Sequence, residues 1–179
     1  VVIAHAIGQG DKNTVKKAVH TSILVSLLGG VLVAALGELA AAPLLRLLQV
    51  PDDVFPLALL YLRIYLLGMP VILLYNFEAA IFRSVGETKI PLLALAVSGV
   101  VNACLNLFFV IVCHMSVDGV ATATVISQYI SLFLVVRCLC RSEGLSHLEL
   151  KEIRLDKEES IRMIQIGFPA GLQSMLFSI

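Results

Sequence analysis

Four long apolar runs, Ala18–Ala42, Pro56–Ala80, Ile90–His114 and Val117–Leu139, take up more than half of this 179-residue chain. Each is 23 to 25 residues long, and a helix of about 20 residues crosses the ~30 Å hydrocarbon core of a bilayer. Inside lipid, every backbone N–H and C=O must find its partner within the span, so runs of this length predict helices. A fifth run opens at Ile161 and reaches Ile179, and Val1 to Gly8 read as the tail of a further helix. Hydrophobic residues make up 59% and charged residues 15%, against about 25% charged in a soluble domain. The mean hydropathy is +0.95. These features predict an all-α polytopic membrane protein.

Several function classes drop out. The net charge is zero, so nothing global points to nucleic acid. The four cysteines show no metal-ligand spacing; Cys104 and Cys113 lie too far apart along one helix to pair, and all four read as small buried hydrophobes. The chain has no Gly-x-Ser-x-Gly, no His-Glu-x-x-His and no Gly-x-x-x-x-Gly-Lys, so no enzyme, catalytic residue, metal site or cofactor is expected. The first residue is Val, and both ends fall inside apolar stretches, so the chain reads as a fragment in which a missing signal peptide is uninformative.

Basic residues in the connections set membrane orientation. Connections alternate sides, and eleven of the thirteen Lys and Arg residues fall on one of them: Lys12, Lys16, Lys17, Arg83, Lys89, Arg137, Arg141, Lys151, Arg154, Lys157 and Arg162. Only Arg46 and Arg63 fall on the other. The loops at 9–17, 83–89 and 141–160 are therefore expected in the cytoplasm, with the Ala18 and Ile161 helices running outward. Turn chemistry agrees, with Gly8-Gln9-Gly10-Asp11 and Gly86-Glu87-Thr88-Lys89 on the basic side and Val50-Pro51-Asp52-Asp53 opposite.

Polar groups inside spans are the candidates for function. Asn102 and Asn106 are one turn apart, so they share a helix face deep in their run. They form either a site for a cation or proton or a hydrogen-bond clamp to a neighbouring helix. The next helix offers Thr122, Thr124, Ser127 and Gln128, with Gly119, Ala121 and Ala123 allowing close approach. Tyr75, Asn76, Glu78 and Gln128 are candidates to line a cavity. Asn76 can equally bond a backbone, and Glu78, five residues before Arg83, can equally snorkel to the interface. Glu38 and His114 are expected at the outer interface. Gly29-Gly30, Gly68-x-Pro70 and Gly167-Phe168-Pro169 mark places where helices can kink.

In sequence order, Gly8-Gln9-Gly10-Asp11, Pro43-Leu44-Leu45, Tyr61-Leu62-Arg63-Ile64, Arg83-Ser84-Val85-Gly86-Glu87-Thr88-Lys89-Ile90-Pro91, Asn102 through Phe109, Gly119 through Gln128 and Ile166-Gly167-Phe168-Pro169-Ala170-Gly171 resemble the bacterial branch of the multidrug and toxic compound extrusion (MATE) family. The resemblance covers essentially the whole chain. It implies a partial six-helix N-terminal lobe of a twelve-helix transporter: 1–140 as the end of helix 2 and helices 3–6, 141–160 as a cytoplasmic inter-lobe linker, and 161–179 as the start of helix 7 in the second lobe.

The function so implied is antiport of cationic or amphipathic compounds against Na+ or H+ by alternating access, from a protein that is monomeric at full length in the bacterial inner membrane. Family members place an aspartate on helix 1, an asparagine and an acidic residue one turn apart on helix 5, and a threonine on helix 6 in one polar site. Asn102 and Thr124 match the asparagine and threonine, while Asn106 stands where some relatives are acidic, which removes a charge. Asn102, Asn106 and Thr124 are thus the expected coupling residues. The alternatives are a lipid-linked precursor flippase of the same superfamily and a non-transporting membrane scaffold.

Overall fold

Asp11 starts the first long helix. Its Oδ1 accepts from the backbone N–H groups of Asn13 and Thr14, both at 3.1 Å, and Thr14 Oγ1 donates to its Oδ2 at 2.6 Å. Two otherwise orphaned N–H groups are thereby satisfied, which is what an N-cap does. In the computed structural model, which describes residues 2–142 and 153–177, seven α-helices and no strand are present among the described residues. They are α1 (Val2–Gly8), α2 (Lys12–Leu47), α3 (Phe55–Leu67), α4 (Met69–Ser84), α5 (Lys89–Leu107), α6 (Val117–Arg141) and α7 (Lys157–Phe177), with a π-helical turn (Phe108–Val112) continuing α5.

The Asp11 cap carries a pH signature. Hydrogen bonds from the Thr14 side chain and backbone hold its carboxyl below the usual carboxylate range. Its contribution is therefore complete above the ordinary Asp pKa and is lost as pH falls through the lowered one. Asp11→Ala should lower the thermal midpoint at neutral pH, with the gap to wild type closing in acid; a gap independent of pH would contradict the cap.

Three helices are long and apolar enough to span a bilayer, and the α3–α4 pair makes a fourth if it counts as one bent span. The boundaries differ from expectation in instructive ways. Helix α2 runs on at both ends, through Lys12–Lys17 and past Pro43, for 36 residues, or about 54 Å at 1.5 Å per residue. The expected single span Pro56–Ala80 is broken at Gly68, where α3 and α4 meet at 48°. Proline at position 70 has no N–H for the α3 ladder, and the Gly68 N–H bonds Tyr65 O instead, at 3.0 Å. Helix α7 begins at Lys157, four residues before the expected Ile161. Asp156 caps it through Glu158 N and Glu159 N, and these bonds, the Glu159 one foremost, lower its carboxyl pKa. Of the expected 141–160 linker, residues 143–152 lie outside the described residues.

The surface is apolar, and small side chains line the helix crossings of an interior that also buries Phe82, Ile81 and Leu139. Leu28, Leu32, Leu36, Leu92, Val100 and Phe133 point outward, while Ala18, Ala79, Ala121, Ala123, Ser98, Ser127 and Ser131 are buried. Lipid gives no hydrophobic drive between helices, so close approach through small residues holds such a bundle together. The tightest crossing sets Gly30 of α2 against Pro70 of α4, where a Cβ on Gly30 would lie 2.4 Å from the Pro70 Cα. Helix α6 packs against α3, α4 and α5, and Ser131 Oγ donates to Ala94 O at 3.3 Å across the α5–α6 contact.

Candidate functional site

A connected group of polar side chains lies between α5 and α6. Asn102 Nδ2 donates to Thr124 Oγ1 and to Ser127 Oγ, each at 3.4 Å. Asn106 Nδ2 donates to Asn102 Oδ1 at 3.0 Å. Backbone bonds fix these directions. The Thr124 hydroxyl proton goes to Val120 O at 3.0 Å and that of Ser127 to Thr124 O at 2.7 Å. Neither hydroxyl has a proton left for the amide, so Asn102 must present its N–H group to α6 and its oxygen to Asn106. Asn106 Oδ1 is left buried with no hydrogen-bond partner. A buried amide oxygen without a donor costs about 1–3 kcal/mol, so its persistence is the feature to explain. One turn on, α5 passes into the π turn, closed by Cys113 N to Phe108 O at 3.1 Å. The exposed His114, in left-handed backbone at φ 52°, follows it.

The structure thus brings Asn102, Asn106 and Thr124 together and adds Ser127. The sequence contained the signal for Ser127, which follows Thr124 by three residues on one helix face. Gln128, the next residue, is half-buried and makes none of the cluster's hydrogen bonds. Thr122 Oγ1 is committed to Asp118 O at 2.7 Å.

The other cavity-lining candidates lie elsewhere. Tyr75 is buried, and its hydroxyl donates to Pro91 O at 3.1 Å, tying α4 to the start of α5. Asn76 is exposed and bonds Ile72 O of its own helix at 2.8 Å, the backbone alternative. Glu78 does not snorkel. It is fully buried, and neither carboxylate oxygen has a partner, because its helix face turns toward the α2–α4–α6 core while Arg83 stays exposed. Glu38 is partly buried and meets Arg63 across the α2–α3 contact at 3.5 Å.

At the basic end, a cavity of about 420 Å³ is lined by Lys16, Lys17, His20, Thr21, Arg154 and Asp156, among others. It lies apart from the asparagine cluster. Thr21 Oγ1 donates to Arg154 O and accepts from Asp156 N, and Lys17 meets Asp156 at 3.6 Å. The segment entering α7 is thereby held against α2.

A model of the MatE family matches residues 1–108, which takes in Asn102 and Asn106. The chain belongs to the MatE family. It is 34% identical over 178 residues to a probable multidrug resistance protein, YpnP, of Bacillus subtilis, a match covering 95% of this chain and 38% of that protein. Two solved structures of a multidrug resistance MATE family transporter share the fold at 24% identity. The outward-facing conformation matches with a TM-score of 0.88 over 99% of this chain and 40% of that one. The inward-facing conformation matches at 0.84 over 94% and 38%. The MatE chain described here therefore spans about two fifths of the length of these relatives. Its asparagine cluster straddles the end of the matched region, with Thr124 and Ser127 lying beyond it.

Proposed function

We propose that this chain forms the larger part of the first lobe of a secondary active exporter, which moves cationic or amphipathic compounds out of the cell in exchange for Na+ or H+. The observation that carries this reading is the unpartnered Asn106 oxygen in the α5–α6 cluster. Amide and hydroxyl oxygens at depth suit a hard cation or a donating acid, and a purely structural clamp would leave no acceptor over. In this reading Asn102, Asn106, Thr124 and Ser127 orient the coupling cation or a protonated carboxylate between the helices. Occupancy then biases the lobe toward one of its two openings, because a ligand shifts an equilibrium only by its differential affinity for the two states.

In this reading the basic end, with Asp11, Gly86 and the start of α7, faces the cytoplasm, which the charge asymmetry supports. The relatives that match in inward- and outward-facing forms support alternating access, in which one face of the lobe opens as the other closes.

The test uses the intact protein, as encoded at its own locus, in proteoliposomes loaded with a cationic dye. Dye movement driven by an imposed proton or sodium gradient, and abolished by collapsing it, is the expected result. No movement under either gradient would point to a non-transporting scaffold and overturn the proposal.

A further inference from the structure

Among the described residues, Glu78 alone has both carboxylate oxygens buried and without a hydrogen-bond partner. It belongs to neither the asparagine cluster nor the basic cavity. It sits on α4 six residues before the helix ends at Ser84, on the face that carries buried Tyr75, Ala79 and Phe82.

The elements packed around it supply apolar side chains and turn their charges elsewhere. From α1 the core receives Ile3 and Ala6, while His5 is exposed. From α2 it receives Val15, Ala18 and Val19, while Lys16, Lys17 and His20 line the cavity toward Arg154 and Asp156. From α5 it receives Ala94, while Lys89 is exposed, and on α4 itself Arg83 is exposed. From α6 come Val135 and Leu139, with the Cys140 thiol within electrostatic reach of the carboxyl. From α7 comes Met163, while Glu159 pairs with Arg162 on their own helix, and Arg137 and Arg141 of α6 are exposed. Among the described residues no charged group meets the Glu78 carboxyl, and its titratable neighbours are the Cys140 thiol and the Tyr75 hydroxyl, the latter committed to Pro91 O.

We propose that Glu78 is a proton-binding site, and that release of its proton is coupled to the parting of α4 from α2 and α6 at the basic end of the bundle. An ionised carboxylate needs water or donors, and this packing supplies neither, so the arrangement accommodates the neutral acid. The proton can leave only if the helices separate enough to admit water. The bend at Gly68 gives α4 a hinge about which to tilt against α3. The sign of the linkage follows: acid favours the packed arrangement and alkali the parted one. The site is separate from the asparagine cluster. That its opening serves as the cytoplasmic gate rests on the antiport reading above; the proton and its coupling to packing do not.

The test uses the intact protein in lipid nanodiscs, with every cysteine except Cys140 replaced by serine. Cys140 is half-buried and reports on the opening of this contact. Its rate of reaction with a water-soluble maleimide is followed from acid to mildly alkaline pH, with Glu78 intact and as Glu78→Gln. Gln has the shape of the neutral acid and cannot ionise; Glu78→Met is the second neutral variant should Gln fold poorly. Thiol ionisation raises the rate in all of them. The ratio of the Glu78 protein to the neutral variant should climb by about fivefold or more as pH rises. A flat ratio overturns the coupling. Infrared spectra provide the second reading: the C=O stretch of a protonated carboxyl should be present at neutral pH and missing from Glu78→Gln. Identical spectra overturn the proton site. Neither readout involves export, so failure here and failure of the antiport reading are told apart.

Discussion

Replacing Asn102 by alanine in the intact protein should abolish export of a cationic substrate while leaving the protein folded in the membrane. Asn102 is the hub of the cluster: it donates twice to α6 and accepts from Asn106, so its loss removes every bond within the group that crosses between the helices. The structural cost is small. Both donated bonds are long, at 3.4 Å, and interhelical hydrogen bonds in membrane bundles are worth roughly 0.6 to 2 kcal/mol even at good geometry. The α5–α6 contact keeps the Ser131–Ala94 bond and the buried Ala121 and Ala123. Thr124→Ala should be milder, a partial loss, because Ser127 still receives the amide. Gradient-driven dye export and the amount of folded protein check both variants, and full export by Asn102→Ala would remove the cluster from the mechanism.

Gly30→Ala should be the most destabilising single-methyl change in the bundle. The new Cβ would lie 2.4 Å from Pro70 Cα and 3.0 Å from Pro70 N, and these are backbone atoms that cannot swing aside. The helices must separate at their tightest crossing, and overpacking of this kind costs about 1–3 kcal/mol. The neighbouring residue supplies the control. A Cβ on Gly29 would meet only Leu73 Cδ2 at 3.7 Å, an ordinary contact, and Gly→Ala inside a helix gains up to about 1 kcal/mol in propensity. Thermal midpoints in detergent should fall for Gly30→Ala and hold or rise for Gly29→Ala. Equal shifts in the two variants would mean that the α2–α4 crossing is looser than the structure has it.

The elements differ in how much of them was legible. The spans of α2, α5 and α6 follow from run length alone, because lipid demands an apolar helix of that length. The start of α7 was not legible, because the charge of Lys157, Glu158 and Glu159 makes the segment read as linker, while in the structure Asp156 caps it. The Asn102–Asn106 bond follows from their spacing. The choice of Ser127 over Gln128 as a partner does not, because it depends on how α6 is rotated against α5.

The amino-acid sequence by itself determined that this chain is a bundle of membrane helices, which end of it is basic, and that two asparagines share a face at depth. Each is a property of one segment and its periodicity. Only the tertiary structure decided where the second span breaks and what becomes of Glu78. A Gly-x-Pro in an apolar run is compatible with a kink or a break, and the packing of α2 and α6 around α4 accompanies the break seen here. A carboxylate near a helix end snorkels or is buried according to which neighbour covers its face, and the helices packed around α4 cover Glu78 without offering it a donor among the described residues.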